Sequence, residues 1–143
     1  ASAIKRCLDY KNLKVVSFGI RNLSKEEMDF YNENRDRIKI FWGKDKQTWD
    51  LSQLDKFFKN KNVYITFDVD GFDASIMPAT GTHELGGMLW EDVLPIIKKI
   101  CQISNVVGAD INELAPIKNF DSYNFLVAKL AYKIISYSFE FKN

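Results

Sequence analysis

The chain is short of the residues from which self-contained imidazole or thiolate sites are built. One histidine, His83, serves all 143 residues, so a centre needing two imidazoles cannot be assembled from this chain alone. Only two cysteines occur, Cys7 and Cys101, far apart and without CxxC or Cys/His spacing. That excludes a zinc finger or a dithiol redox motif and points to two buried free thiols in a reducing compartment. Three prolines and seven glycines are too few for a fibrous or low-complexity chain. No apolar run approaches the roughly 20 residues of a membrane-spanning helix, and the start shows no signal-peptide pattern. No membrane partner is therefore expected, and the expected location is cytoplasmic. An excess of charge is missing as well: 20 basic residues against 19 acidic give +1. A chain so balanced has no basic stripe for nucleic acid.

What is present is an ordinary globular composition, 46% hydrophobic and 27% charged, enough for one domain's core. Strand and helix patterns alternate. Ser2 to Tyr10 reads as a helix and Leu13 to Ile20 as a strand. Ser24-Lys25-Glu26-Glu27 is a capping box opening a helix to about Arg35. A short strand over Ile38 to Trp42 and an amphipathic helix over Thr48 to Lys59 follow. Val63 to Asp68 reads as a buried strand and is followed by a turn-rich loop with Pro78, Gly81, Gly86 and Gly87. A helix from Trp90 to Ile103, a strand from Val106 to Asn112 and a helix from Ser122 to Ser138 complete the order. Alternation of this kind predicts an α/β fold with a parallel sheet, in which ligands bind at the carboxyl ends of strands. Asp68, Asp70 and Glu113 all fall there.

The richest local pattern is Val63-Tyr64-Ile65-Thr66-Phe67-Asp68-Val69-Asp70-Gly71-Phe72-Asp73. Residues i and i+2 of a strand share a face, so Asp68 and Asp70 are expected to project together. Two facing carboxylates repel, and a hard cation between them removes that penalty. The pattern alone is equally open to a capping or solvated carboxylate pair. Asp73 is expected to cap a turn, and Asp110 to make a structural hydrogen bond. Hydrophobic residues before Asp-x-Asp-Gly also fit the nucleophile motif of haloacid-dehalogenase-type phosphatases, but Phe72 stands where that family carries threonine.

Three segments in order narrow the choice: Phe67 to Asp73, then Pro78-Ala79-Thr80-Gly81-Thr82-His83-Glu84-Leu85-Gly86-Gly87, then Gly108-Ala109-Asp110-Ile111-Asn112-Glu113-Leu114-Ala115-Pro116. Together they resemble the ureohydrolase family, the arginases and agmatinases, with its Asp-x-Asp-x-x-Asp, Thr-Gly-Thr and Asp-x-x-Glu-x-x-Pro segments. Val15 to Ser24 and Phe125 to Tyr137 extend the resemblance over the whole chain and lean it toward agmatinase. The resemblance implies a three-layer α/β/α arrangement and a site with two manganese ions (Mn2+), for which Asp68 and Asp70 would be ligands. It implies hydrolysis of a small guanidinium substrate, agmatine to putrescine and urea in polyamine synthesis, with arginine as the alternative. Glu113 would pair with the guanidinium, and Thr82 and His83 would line its pocket. Homo-oligomers, trimers or hexamers, are implied as well.

Three departures stand out. Ala74 replaces the proline expected after Asp73, and His83 replaces the proline expected after Thr82. The family's upstream histidine and Asp-x-His-x-Asp ligands have no counterpart, and Ala1-Ser2-Ala3-Ile4 matches the helix following that histidine. Residues 1–143 thus resemble the C-terminal half of a single ureohydrolase domain, supplying two of its ligands. A non-catalytic truncated copy is the alternative.

Overall fold

A computed structural model describes residues 2–142. Ala1, part of the Ala1-Ser2-Ala3-Ile4 match, lies outside them. The chain divides into two compact units, residues 1–47 and 48–143.

In the first unit, α1 (Ser2–Cys7) leads to β1 (Val15–Ile20), α2 (Lys25–Glu33) and β2 (Ile38–Trp42). Helix α1 stops three residues short of the expected Tyr10. The Arg37 guanidinium accounts for this: Nη2 donates to the carbonyls of Leu8 at 2.8 Å and Tyr10 at 2.7 Å, drawing the chain into a turn. The expected capping box forms, the Glu27 N–H donating to Ser24 Oγ and the Ser24 N–H to Glu27 Oε2. β1 and β2 pair in parallel from Val15↔Ile38 to Phe18↔Phe41, after which the register slips at Gly19, whose φ is 74°. Leu8, Ile38 and Ile40 form the core, with Leu13, Val15, Phe30 and Trp42 packed on it.

The second unit carries the motif-bearing segments. Its first stretch differs from the expected helix over Thr48 to Lys59. Asp50 accepts the Ser52 N–H at 2.9 Å, starting a fresh 3-10 turn over Leu51–Leu54 before the single turn of α3 (Asp55–Phe58). A short acidic side chain that bonds its neighbouring backbone competes with helix propagation. β3 (Asn62–Asp68), α4 (Trp90–Ile103) and β4 (Asn105–Asn112) make a parallel crossover, followed by α5 (Asp121–Glu140). Helix α4 buries Val93, Ile96, Ile97, Ile100 and Cys101, and α5 buries Leu130 and Ile134.

The fold is α/β, with its parallel strands paired two by two among the described residues. One expectation is corrected here: β3 is not buried on both faces. Only Ile65 is buried along it, while Tyr64 is 59% exposed and Val107 of β4 is 60% exposed. Sequence patterning could not separate a strand covered on both faces from one covered on one. A second correction concerns the thiols, since Cys101 is buried but Cys7 is exposed. Both are free. No helix among the described residues is long and apolar enough to cross a membrane.

Candidate active site

The carboxyl ends of β3 and β4 lie side by side because the strands run parallel in the register Thr66↔Asp110 and Asp68↔Asn112. Asp68 is the last residue of β3, and β4 ends on Asn112, directly before Glu113. The neighbourhood of Asp68 and Asp70 arises differently from the strand alternation expected. The strand stops at Asp68, and Val69–Gly71 form a 3-10 turn with Val69 completely buried. It is the turn, anchored by Val69, that brings Asp70 back toward Asp68.

The electrostatics show the grouping. Burial, then the negative charges of Asp70, Glu113 and Asp110, push the Asp68 carboxyl above its ordinary pKa. Among the described residues Asp68 has no hydrogen-bond donor or cation paired with it, and neither has Glu113. Asp70 differs, because Thr82 Oγ1 donates to its Oδ2 at 2.7 Å. Glu113 also sits at φ 67°, a left-handed conformation that strains a residue with a Cβ. The Ala115 N–H donates to the Ala79 carbonyl at 2.9 Å, tying the segment after Glu113 to the loop that carries Thr82.

The loop is stapled by Asp73. Its Oδ1 accepts from the Ser75 N–H at 2.9 Å and from Ser75 Oγ at 2.5 Å, and its Oδ2 accepts from the Gly87 N–H at 3.0 Å. The Ser75 hydroxyl and backbone, ahead of the glycine amides, hold the carboxyl down to about 2. Asp73 is thus the turn cap that was expected. Gly87 has no room for a side chain, since a Cβ there would come within 2.5 Å of the Phe72 carbonyl. His83 lies exposed in the loop. Asp110 likewise makes structural hydrogen bonds, accepting from Thr66 Oγ1 at 2.8 Å and from the Asn112 amide. The neighbouring Asp110 carboxylate raises the Tyr64 pKa. The sequence reading missed this face, although Tyr64-x-Thr66-x-Asp68 and Gly108-x-Asp110-x-Asn112 alternate as adjacent strands on one face must.

The donor set suits a hard divalent cation as part of a larger shell. Two adjacent carboxylates, one lacking any donor, are oxygen ligands that a cation would relieve of mutual repulsion. Among the described residues no group of three or more His, Cys, Asp or Glu side chains is placed to hold an ion unaided.

Comparison with known proteins gives the family and the fold. The profile of the arginase family matches residues 1–136. The N(1)-aminopropylagmatine ureohydrolase of Synechocystis is 34% identical over 140 residues, which are 96% of this chain and 44% of that protein. The agmatine ureohydrolase of Thermoplasma volcanium superposes with a TM-score of 0.78 at 28% identity, over 94% of this chain and 46% of that one. An arginase-like protein of T. brucei, solved as a triple mutant bound with Mn2+, shares the fold with a TM-score of 0.79 at 22% identity, over 94% of this chain and 46% of that one. The chain spans about half or less of the length of the relatives it matches. The phosphatase alternative is overturned by the family match over all three motif segments, and this chain belongs to the arginase family.

Proposed function

We propose that the complete protein carrying this chain hydrolyses a guanidinium substrate to urea and an amine, with agmatine as the substrate and putrescine as the amine. The observation that carries the reading is the pair of carboxylates, Asp68 and Glu113, at adjoining strand ends with no hydrogen-bond partner among the described residues. Such a site calls for cations, and two different cationic groups would satisfy it.

Asp68 and Asp70 are the residues that would hold manganese, with Thr82 fixing the rotamer of Asp70. Manganese bound there would supply the Lewis acidity that makes water nucleophilic at neutral pH. Glu113 binds the substrate: a guanidinium is a planar fork of N–H donors that a carboxylate accepts in a bidentate pair. Held so, the guanidinium carbon takes up the elements of water. Its bond to the alkyl nitrogen breaks, that nitrogen leaves with a proton as the amine, and the remainder is urea. His83 stands at the loop rim, where it would meet the part of the substrate beyond the guanidinium.

A chain-extended agmatine is a second reading, favoured by the aminopropylagmatine ureohydrolase matched over nearly the whole chain. The same chemistry on arginine defines an arginase. The protein would work in the cytoplasm as a homo-oligomer, within polyamine synthesis. The test is urea release from agmatine, N1-aminopropylagmatine and arginine by the complete protein, before and after Asp68→Asn, with manganese measured by elemental analysis. The variant should lose manganese and nearly all urea release. Full metal content with unchanged turnover would refute the assignment.

A further inference from the structure

Asn112 is the cross-strand partner of Asp68 and stands immediately before Glu113. Its side-chain amide has two ends, and the surroundings fix which end faces where. Asp110 lies two residues back on the same face of β4, and its Oδ1 accepts from Asn112 Nδ2 and from Thr66 Oγ1 at 2.8 Å. An ionised carboxylate can only accept, so the amide must turn its NH2 toward Asp110. The Thr66 hydroxyl is the main cause that keeps the Asp110 carboxyl below its ordinary pKa. The Tyr64 ring lies over Gly108, where an added Cβ would sit 2.8 Å from Cε2. Thr66, Asp110 and Asn112 therefore form a bracket that presents the Asn112 carbonyl oxygen away from Asp110. No group among the described residues donates to that oxygen.

We infer that Asn112 Oδ1 is a substrate-positioning acceptor beside Glu113, held in that role by Asp110, and that it selects a group carrying several N–H donors in one plane. The inference rests on the ureohydrolase reading and deepens it. A guanidinium has five N–H donors and no acceptor, so a carboxylate pair of hydrogen bonds leaves donors to place. The uncommitted oxygen of Asn112 takes one. A primary ammonium is a compact point charge that Glu113 alone can hold, and it gains little from a second acceptor in the guanidinium plane. Asp110 is accordingly a positioning residue, acting through the orientation of Asn112 rather than on the substrate.

The test uses the complete protein with manganese bound, as wild type, Asn112→Leu and Asp110→Asn. Leucine keeps the volume of Asn112 and removes the acceptor. The Asp110 substitution keeps the shape but lets the facing amides flip, since the new side chain can donate as well as accept. Asn112→Leu should raise KM for agmatine about tenfold, the loss expected for one hydrogen bond to a charged group, with kcat within about twofold. Competitive inhibition by methylguanidinium should weaken by the same factor while inhibition by propylamine holds. Asp110→Asn should reproduce a smaller part of this selective loss, roughly threefold, and it carries the test should leucine disturb the strand. Manganese content should not change in either variant. Unchanged inhibition by methylguanidinium in both variants, an equal loss for amine and guanidinium, or loss of manganese would each overturn the role given to Asn112. A wild-type protein that releases urea while the variants behave identically leaves the ureohydrolase reading standing. A wild-type protein that hydrolyses no guanidino compound removes that reading and this inference together.

Discussion

At the scale of single residues, carboxylates of the same chemical kind have separate tasks set by what surrounds them. Asp73 is saturated with donors, Asp110 is locked into a bracket, and Asp68 and Glu113 have no hydrogen-bond partners among the described residues. Glu113 is expected to act on the substrate: Glu113→Gln should lose at least tenfold in kcat/KM while retaining manganese, since a charge-assisted hydrogen-bond pair is weakened and no metal ligand is removed. Loss of metal from that variant, by elemental analysis, would make Glu113 a ligand instead. Asp73 contributes to acid stability. Its folded-state pKa of about 2 lies below the ordinary 3.8, so its ionised form favours the folded state. That contribution is complete above the unfolded value and fades as pH falls toward the folded one. Urea unfolding between about pH 4 and 2 should show stability declining with pH, and Asp73→Ala should flatten this component. At pH 7 the same variant should be less stable by roughly 1–3 kcal/mol, the cost of leaving the Ser75 and Gly87 donors without their acceptor.

Single elements illustrate how local chemistry sets boundaries. Helix α2 begins where Ser24 and Glu27 exchange hydrogen bonds with each other's backbone. Because α2 itself buries no residue, its start depends on the cap more than on packing. Ser24→Ala should cost about 1 kcal/mol, read as a lower denaturant midpoint with an unchanged slope. The stretch after β2 shows the opposite outcome, an amphipathic pattern divided by Asp50 into short turns. Helix α5 presents apolar residues on two sides. Leu130 and Ile134 are buried, whereas Phe125, Tyr132, Ile135 and Phe139 lie along the other side, the first and last about 70% exposed. A helix apolar all round is one that expects cover all round.

For the whole molecule, the exposed side of α5 and the open face of β3 and β4 describe a fold whose apolar surface is not yet enclosed. Parallel strands ordinarily have helices on both faces, and unpaired strand edges invite association. The 143-residue chain expressed alone should therefore associate or aggregate, and it should bind manganese weakly and release no urea. The two aspartates proposed as ligands form an open site, and no third His, Cys, Asp or Glu is placed to close it among the described residues. Light scattering, a manganese titration and a urea assay on the purified chain check this. A soluble monomer turning over agmatine at ordinary enzymatic rates would show that residues 1–143 carry a complete site.

The sequence by itself determined the order of elements, the α/β class and the capping box, because these depend on periodicity and on contacts within four residues. It also determined the family, because three motif segments stand in one order. Tertiary structure alone decided how those motifs meet. Asp70 approaches Asp68 through a turn anchored on buried Val69, not through strand alternation. Asn112 comes to face Asp68 only through the parallel register of β3 with β4. Exposure of β3 was equally hidden, because an apolar run records that a strand can be covered and not whether it is. The physical reason is common to all three: local sequence encodes the backbone's own hydrogen bonds, whereas the partners of side chains are set by elements up to 44 residues away, as between Thr66 and Asp110.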